Sequence, residues 1–135
     1  MNRKQARENT FLLLFEKAIK KDDESAEEVF QKATELRGLE IDDYVRGVFF
    51  GACGNAAEID ELIEKNLLGW AKSRVSTVSM ALLRLATYEM LFIEDIPSKV
   101  SINEAIELSK KYDDDKTYVF VNGVLNAVLE AIGKK

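Results

Sequence analysis

Histidine is absent from the 135 residues, and cysteine and proline occur once each, as Cys53 and Pro97. Without imidazole the chain cannot build a His-ligated metal hydrolase site, nor the common Ser-His and Cys-His nucleophile arrangements. A single thiol rules out an internal disulfide and a cysteine metal cluster. Cys53 lies in an apolar helical stretch, where a small buried residue is the expected role. Gly47, Gly51 and Gly54 match neither glycine-rich phosphate signature and follow no strand, so a P-loop and a dinucleotide fingerprint are missing too. The apolar run Phe11–Phe15 is too short for a signal core or a membrane span, and Met1–Glu8 is too polar for a secretory signal. The expectation is a cytoplasmic protein that is not an enzyme, needs no cofactor or metal, and works by recognition.

What is present is a globular composition: 47% hydrophobic and 32% charged residues, with no low-complexity tract. A chain of this length forms one domain and buries roughly two thirds of its unfolded surface. The net charge of −5 argues against a generally basic nucleic-acid binder. Charge is unevenly placed, however. Residues 1–21 hold six cations (Arg3, Lys4, Arg7, Lys17, Lys20, Lys21) against Glu8 and Glu16, a local +4 that leaves −9 for the remainder. Either a basic site on an acidic body or a solvated surface helix fits that asymmetry.

The stretch Val75–Asn103 organises the chain. Apolar residues from Val78 to Phe92 cover more than one face of a helix, which must then be surrounded by others. Arg84, Tyr88 and Glu89 are the strong polar groups in its middle, and a charge held there needs a partner. Glu104 is the expected partner of Arg84. Pro97 ends this segment, and Ser101-Ile102-Asn103-Glu104 has the form of a capping box opening the next helix.

Elsewhere the periodicity is helical throughout. A first helix spans about Arg3–Lys20, with Arg3 and Arg7 one turn apart and Lys4 beside them. Cations at a helix N-terminus oppose the macrodipole, which modestly favours an external anionic partner. A second capping box, Ser25 with Glu28, opens a helix to about Arg37, with Gly38 as its stop. A long third helix is expected from Asp42 or Asp43 to Leu67, its glycines admitting a neighbouring helix inside the fold or in a dimer. Trp70 reads as a hydrophobic hinge plug or as an exposed binding aromatic. Asp113-Asp114-Asp115 lacks the ligand pattern of a calcium loop and reads as a turn. In the last helix, about Thr117–Ile132, Phe120 borders the apolar stripe and either completes the core or stacks on a base. The class is all-α, with six to seven helices. One domain over 1–135 is expected, an N-terminal three-helix subdomain (about 1–70) packed on a C-terminal helical subdomain (about 71–135).

Three motifs in order, Leu83-Arg84-Leu85-Ala86-Thr87-Tyr88-Glu89, Ile96-Pro97 through Leu108, and Phe120-Val121-Asn122-Gly123-Val124-Leu125, resemble the NusB family of transcription antitermination factors. The opening helix, with Arg3, Lys4, Ala6-Arg7-Glu8 and Phe15, resembles that family as well. The resemblance implies binding to a boxA RNA element together with the ribosomal protein NusE, as part of the antitermination complex on RNA polymerase, notably during ribosomal RNA synthesis. It implies RNA contacts at Arg3, Lys4, Arg7 and Phe120; Lys116 is added because it lies close to Phe120. Phe15 and Ser79 are the candidate NusE contacts. Arg84, Glu89, Asn103, Glu104, Asn122 and Gly123 are expected to be structural. Fewer consecutive arginines than is usual in the family, and Val119 where a basic residue is common, imply weaker RNA affinity for the chain alone. Similar domains are also fused to RNA methyltransferases, and with no catalytic domain after Lys135 a free-standing factor is expected. The alternative is a helical protein-binding or homodimerising module without specific RNA binding.

Overall fold

The computed structural model describes residues 1–134, and among them every regular element is a helix. Seven α-helices follow one another: α1 Arg3–Lys20, α2 Ala26–Glu35, α3 Asp43–Gly54, α4 Ala56–Glu64, α5 Thr77–Phe92, α6 Ser98–Tyr112 and α7 Thr117–Ala131. Short 3-10 turns occupy Lys21–Asp23 and Lys72–Arg74. No helix among the described residues is long and apolar enough to cross a membrane.

Local chemistry sets most of the helix starts. The Asn2, Asp42 and Ser76 side chains accept from backbone N–H groups at the starts of α1, α3 and α5. Ser25 and Glu28 form the reciprocal capping box of α2, with both bonds at 3.1 Å. The long third helix expected from Asp42 to Leu67 is instead two, because the chain leaves helical geometry at Asn55 (φ −112°, ψ 22°). Asn55 donates from its side chain to the Gly51 carbonyl at 2.7 Å, competing with continuation of the helix. Residues 1–70 therefore carry four α-helices rather than three.

Helix α5 is the post around which the others stand. Ten of its sixteen residues are buried, so it has no solvent face to speak of. It packs against α1, α3, α4, α6 and α7. Of the three glycines expected to admit a neighbour, only Gly51 does. A Cβ there would fall 2.2 Å from the Tyr88 hydroxyl of α5, whereas Gly47 and Gly54 face open space. The close approach is thus made within the chain.

Helix α6 begins at Ser98 after Pro97, not at Ser101. Proline pre-sets the backbone at the entry, and the Val100 and Ser101 amides donate to its carbonyl at 2.9 and 3.3 Å. That frees the Ser101 hydroxyl and the Glu104 carboxylate, the two halves of the expected capping box, for tertiary contacts.

Candidate nucleic-acid interface

The first turn of α1 separates its cations by depth. Arg3 and Lys4 are exposed. Arg3 lays its guanidinium 4.4 Å above the Tyr44 ring of α3, and Lys4 reaches Glu104 of α6 at 3.2 Å. Arg7, expected to project with them, is only 4% exposed. Its Nε donates to Glu89 Oε2 at 2.8 Å and its Nη1 to Glu104 Oε1 at 3.3 Å. One helical turn carries α1 from the surface into the junction with α5 and α6, so Arg7 faces inward while Arg3 remains outside.

Glu89 is wholly buried and is the acceptor at the centre of this junction. It takes hydrogen bonds from Arg7, from the Tyr44 hydroxyl, and from Ser101 Oγ at 2.7 Å. Burial alone would make Arg7 more acidic; the hydrogen bond and charge of Glu89, aided by Tyr44 and Glu104, more than offset this and raise its pKa. Burial, followed by the charge of Glu89, holds the Tyr44 phenol well above its ordinary value, so it stays a donor. A surface strip of Arg3 and Lys4 therefore rests on a hydrogen-bonded buried base. Beside it, a cleft of about 230 Å³ between α1 and α6 is lined by Lys4, Arg7, Glu8, Glu104, Glu107 and Lys111. There Glu8 accepts from Lys111 at 2.7 Å and from the Tyr112 hydroxyl.

A second cluster lies at the start of α7. Lys116 is exposed, and Phe120 is half-buried with its ring centre 5.6 Å from that of Trp70. Trp70 is 51% exposed, so the hinge-plug reading gives way to that of an exposed aromatic. Asp114 caps α7, accepting from the Lys116 and Thr117 amides at 2.9 Å each, and Asp113 accepts from Ser76 Oγ at 2.7 Å. Arg3 lines a shallow pocket with Tyr88 and Ile93, near the end of α5, while Phe120 lines one with Ser76 and Ser79, at its start. The two clusters are thus separated along α5 by roughly 20 Å.

Other expected positions fall as follows. Ser79, taken as an exposed partner contact, is 1% exposed because α5 turns that face toward Asp113. Phe15 is half-buried and lines an open cleft of about 570 Å³ with Leu12, Ile19 and Leu39. Arg84 does not pair with Glu104. It forms a two-pronged ion pair with Asp60 of α4, at 2.8 and 3.1 Å, because its turn of α5 faces α4 rather than α6. Asn103 is exposed, and its side chain takes part in no hydrogen bond among the described residues. Asn122 accepts from Asn126 one turn on, so neither asparagine links helices. Gly123 does matter for packing: a Cβ there would sit 3.0 Å from Leu68 Cδ1. Burial pushes the Cys53 thiol up to about 11, which suits an inert side chain. Tyr44 and Asp60 were not singled out by sequence for these roles. The only signal for Tyr44 was general, that a buried phenol needs a partner.

The sequence profile of the NusB family matches residues 4–130. The chain belongs to the NusB family. Transcription antitermination protein NusB of Clostridium perfringens strain SM101 is 43% identical over 136 residues, covering 98% of this chain and 99% of its own. That of Clostridium novyi is 42% identical, covering 97% and 100%. Among solved structures, NusB of T. maritima superposes with a TM-score of 0.83 at 34% identity, covering 96% of this chain and 92% of its own. A crystal structure of antitermination factors NusB and NusE in complex with dsRNA aligns with a TM-score of 0.82 at 31% identity, covering 96% of both chains. The solution structure of NusB from Aquifex aeolicus aligns at 0.79 and 30% identity, covering 99% and 95%. The three family motifs fall at packed positions: Arg84 and Glu89 of the first lie in an ion pair and in the buried junction, Glu104 of the second accepts from Arg7, and Gly123 of the third lies beneath Leu68.

Proposed function

We propose that this chain is a cytoplasmic transcription antitermination factor that binds a boxA element of nascent RNA together with NusE. On this reading it supports antitermination by RNA polymerase, notably in ribosomal RNA transcription. The observation that carries the reading is identity of 42–43% over nearly the whole chain to proteins named for antitermination. The relative solved with NusE and dsRNA supports RNA and NusE as partners. Within the chain, Arg3 and Lys4 would meet phosphates, and Lys116 and Phe120 would supply a cation and a stacking ring. Arg7 acts one layer beneath them, as the buried support of that turn. NusE would dock on the exposed surface of α5–α7 around the buried Ser79, with the cleft at Phe15 as a further contact.

A salt titration of binding to boxA-type and scrambled RNA, with and without NusE, tests this. The expected result is tighter binding to boxA, strengthened by NusE. Arg3→Ala should reduce the slope of log affinity against log salt by about 0.7, with the melting temperature unchanged. Equal and weak binding of both RNAs, with NusE present, would instead favour a helical protein-binding module.

A further inference from the structure

We infer that the cleft between the C-terminal half of α1, the α3–α4 break and the middle of α5 is a site for a small organic phosphate of nucleotide size. It shares no lining residue with the clefts at Arg3, Lys4, Phe15 or Phe120, so it is distinct from those that the RNA and NusE readings use. The space, about 600 Å³, lies well inside the roughly 300–1,000 Å³ of ligand sites. Short side chains leave it open. Where the chain breaks at Asn55, Ala52 and Cys53 of α3 and Ala56 of α4 meet Leu14 and Ala18 of α1, and none reaches far enough to fill the gap.

Charge at the rim runs against that of the chain. Lys17, Lys21, Lys72 and Arg84 stand against Asp22 and Asp60, a local +2 on a net −5. Asp60 is taken up on both oxygens by Arg84, whose Nη1 is left without a partner, and Lys72 pairs with Glu64 at 3.3 Å. Lys17 and Lys21 form no ion pair among the described residues and are instead locked to each other. The Lys21 amide donates to the Lys17 carbonyl, and the Lys17 ammonium to the Lys21 carbonyl. That lock holds Lys21 at a φ of 50°, which lysine rarely adopts, and leaves two N–H donors on the Lys17 ammonium. Two ammonium groups on one edge without a counter-charge match a dianion, and a phosphate monoester carries about −1.5 to −2 near neutral pH. An inorganic ion would leave the floor of Leu14 and alanine methyls wet, whereas an organic body covers it. Asp22, exposed on the same edge, opposes the anion and limits its affinity.

Cys53 is the only cysteine and sits on the floor, so alkylation of the full chain by N-ethylmaleimide reads occupancy of the cleft, while calorimetry measures affinity independently. AMP is the probe, with adenosine, inorganic phosphate and a single-stranded RNA alongside. At millimolar concentration AMP is expected to bind and to slow the alkylation, and adenosine and inorganic phosphate to do both more weakly. Lys17→Gln and Lys21→Gln should each weaken AMP binding about fivefold, the upper end for an exposed charge pair, and Asp22→Asn should tighten it about twofold. Ala56→Leu fills the floor without changing charge and should abolish binding, with circular dichroism unaltered; if that variant fails to fold, the exposed Lys21→Gln carries the test. AMP that gives no heat and no protection of Cys53 would overturn the site, as would AMP binding that both lysine variants leave intact. Adenosine binding as tightly as AMP would overturn the phosphate, and inorganic phosphate binding as tightly would overturn the organic body. Protection by RNA but not by AMP would overturn it in favour of a nucleic-acid surface.

Discussion

Arg7 and Arg84 each pair with a carboxylate on another helix, yet the two pairs sit in different media. Arg7 and Glu89 have side-chain exposures of 5% and 0%, whereas Arg84 and Asp60 keep 24% and 23%. The Arg84 pair has the better geometry, since both prongs of the guanidinium are used. Geometry alone would rank it first. Burial reverses the order, because a charge stranded at Glu89 has no water to turn to, while one stranded at Asp60 is partly solvated.

The widest expected gap is therefore at the buried junction. Glu89→Ala removes the acceptor shared by Arg7, Tyr44 and Ser101 and should cost about 3–5 kcal/mol in denaturant unfolding; a loss under about 1 kcal/mol would erase the contrast. Tyr44→Phe keeps the ring under Arg3 but withdraws one donor from Glu89. Its cost should be about 2 kcal/mol, the range for a hydrogen bond to a charged group, and should appear in the same unfolding curves. Arg84→Ala should cost only about 1 kcal/mol, and less as salt is raised, since the pair is partly solvent-screened. A larger, salt-insensitive loss would place that pair with the buried one.

The smallest effect is at the mouth of the α1–α6 cleft. Burial tends to raise the Glu8 carboxyl, but hydrogen bonds from Lys111 and Tyr112, with the charge of Lys111, hold it below the ordinary 4.5. A folded-state value below the unfolded one means that Glu8 contributes stability above about pH 4.5 and loses it as pH falls through the folded value. Glu8→Gln should accordingly flatten the acid limb of stability below that pH, with the melting temperature followed from pH 6 to 3. An unchanged acid limb would detach Glu8 from the linkage.

Much of the architecture was legible because it is local. The all-round apolar pattern of α5 announced a surrounded helix, and the Ser25–Glu28 spacing announced a capping box that both hydrogen bonds realise. The break at Asn55 was written in Gly54-Asn55, two poor helix formers, but the apolar stripe running on through Ile59 and Ile63 masked it. Ser101 and Glu104 satisfied the same capping-box pattern as Ser25 and Glu28, yet Pro97 takes the N-cap position of α6 four residues earlier. Their side chains go to Glu89, Arg7 and Lys4 instead. A motif of spacing cannot tell a local partner from a distant one.

By itself the sequence determined the helical class, the central apolar helix, the cations of the first turn and the family motifs, since periodicity and capping act within a few residues. Tertiary structure alone decided that Arg7 is buried while Arg3 and Lys4 are not, that Arg84 pairs with Asp60, and that Trp70 meets Phe120. Arg7 and Glu89 lie 82 positions apart, and only the packing of α1, α5 and α6 around one another sets which carboxylate each cation meets and how much water remains between them.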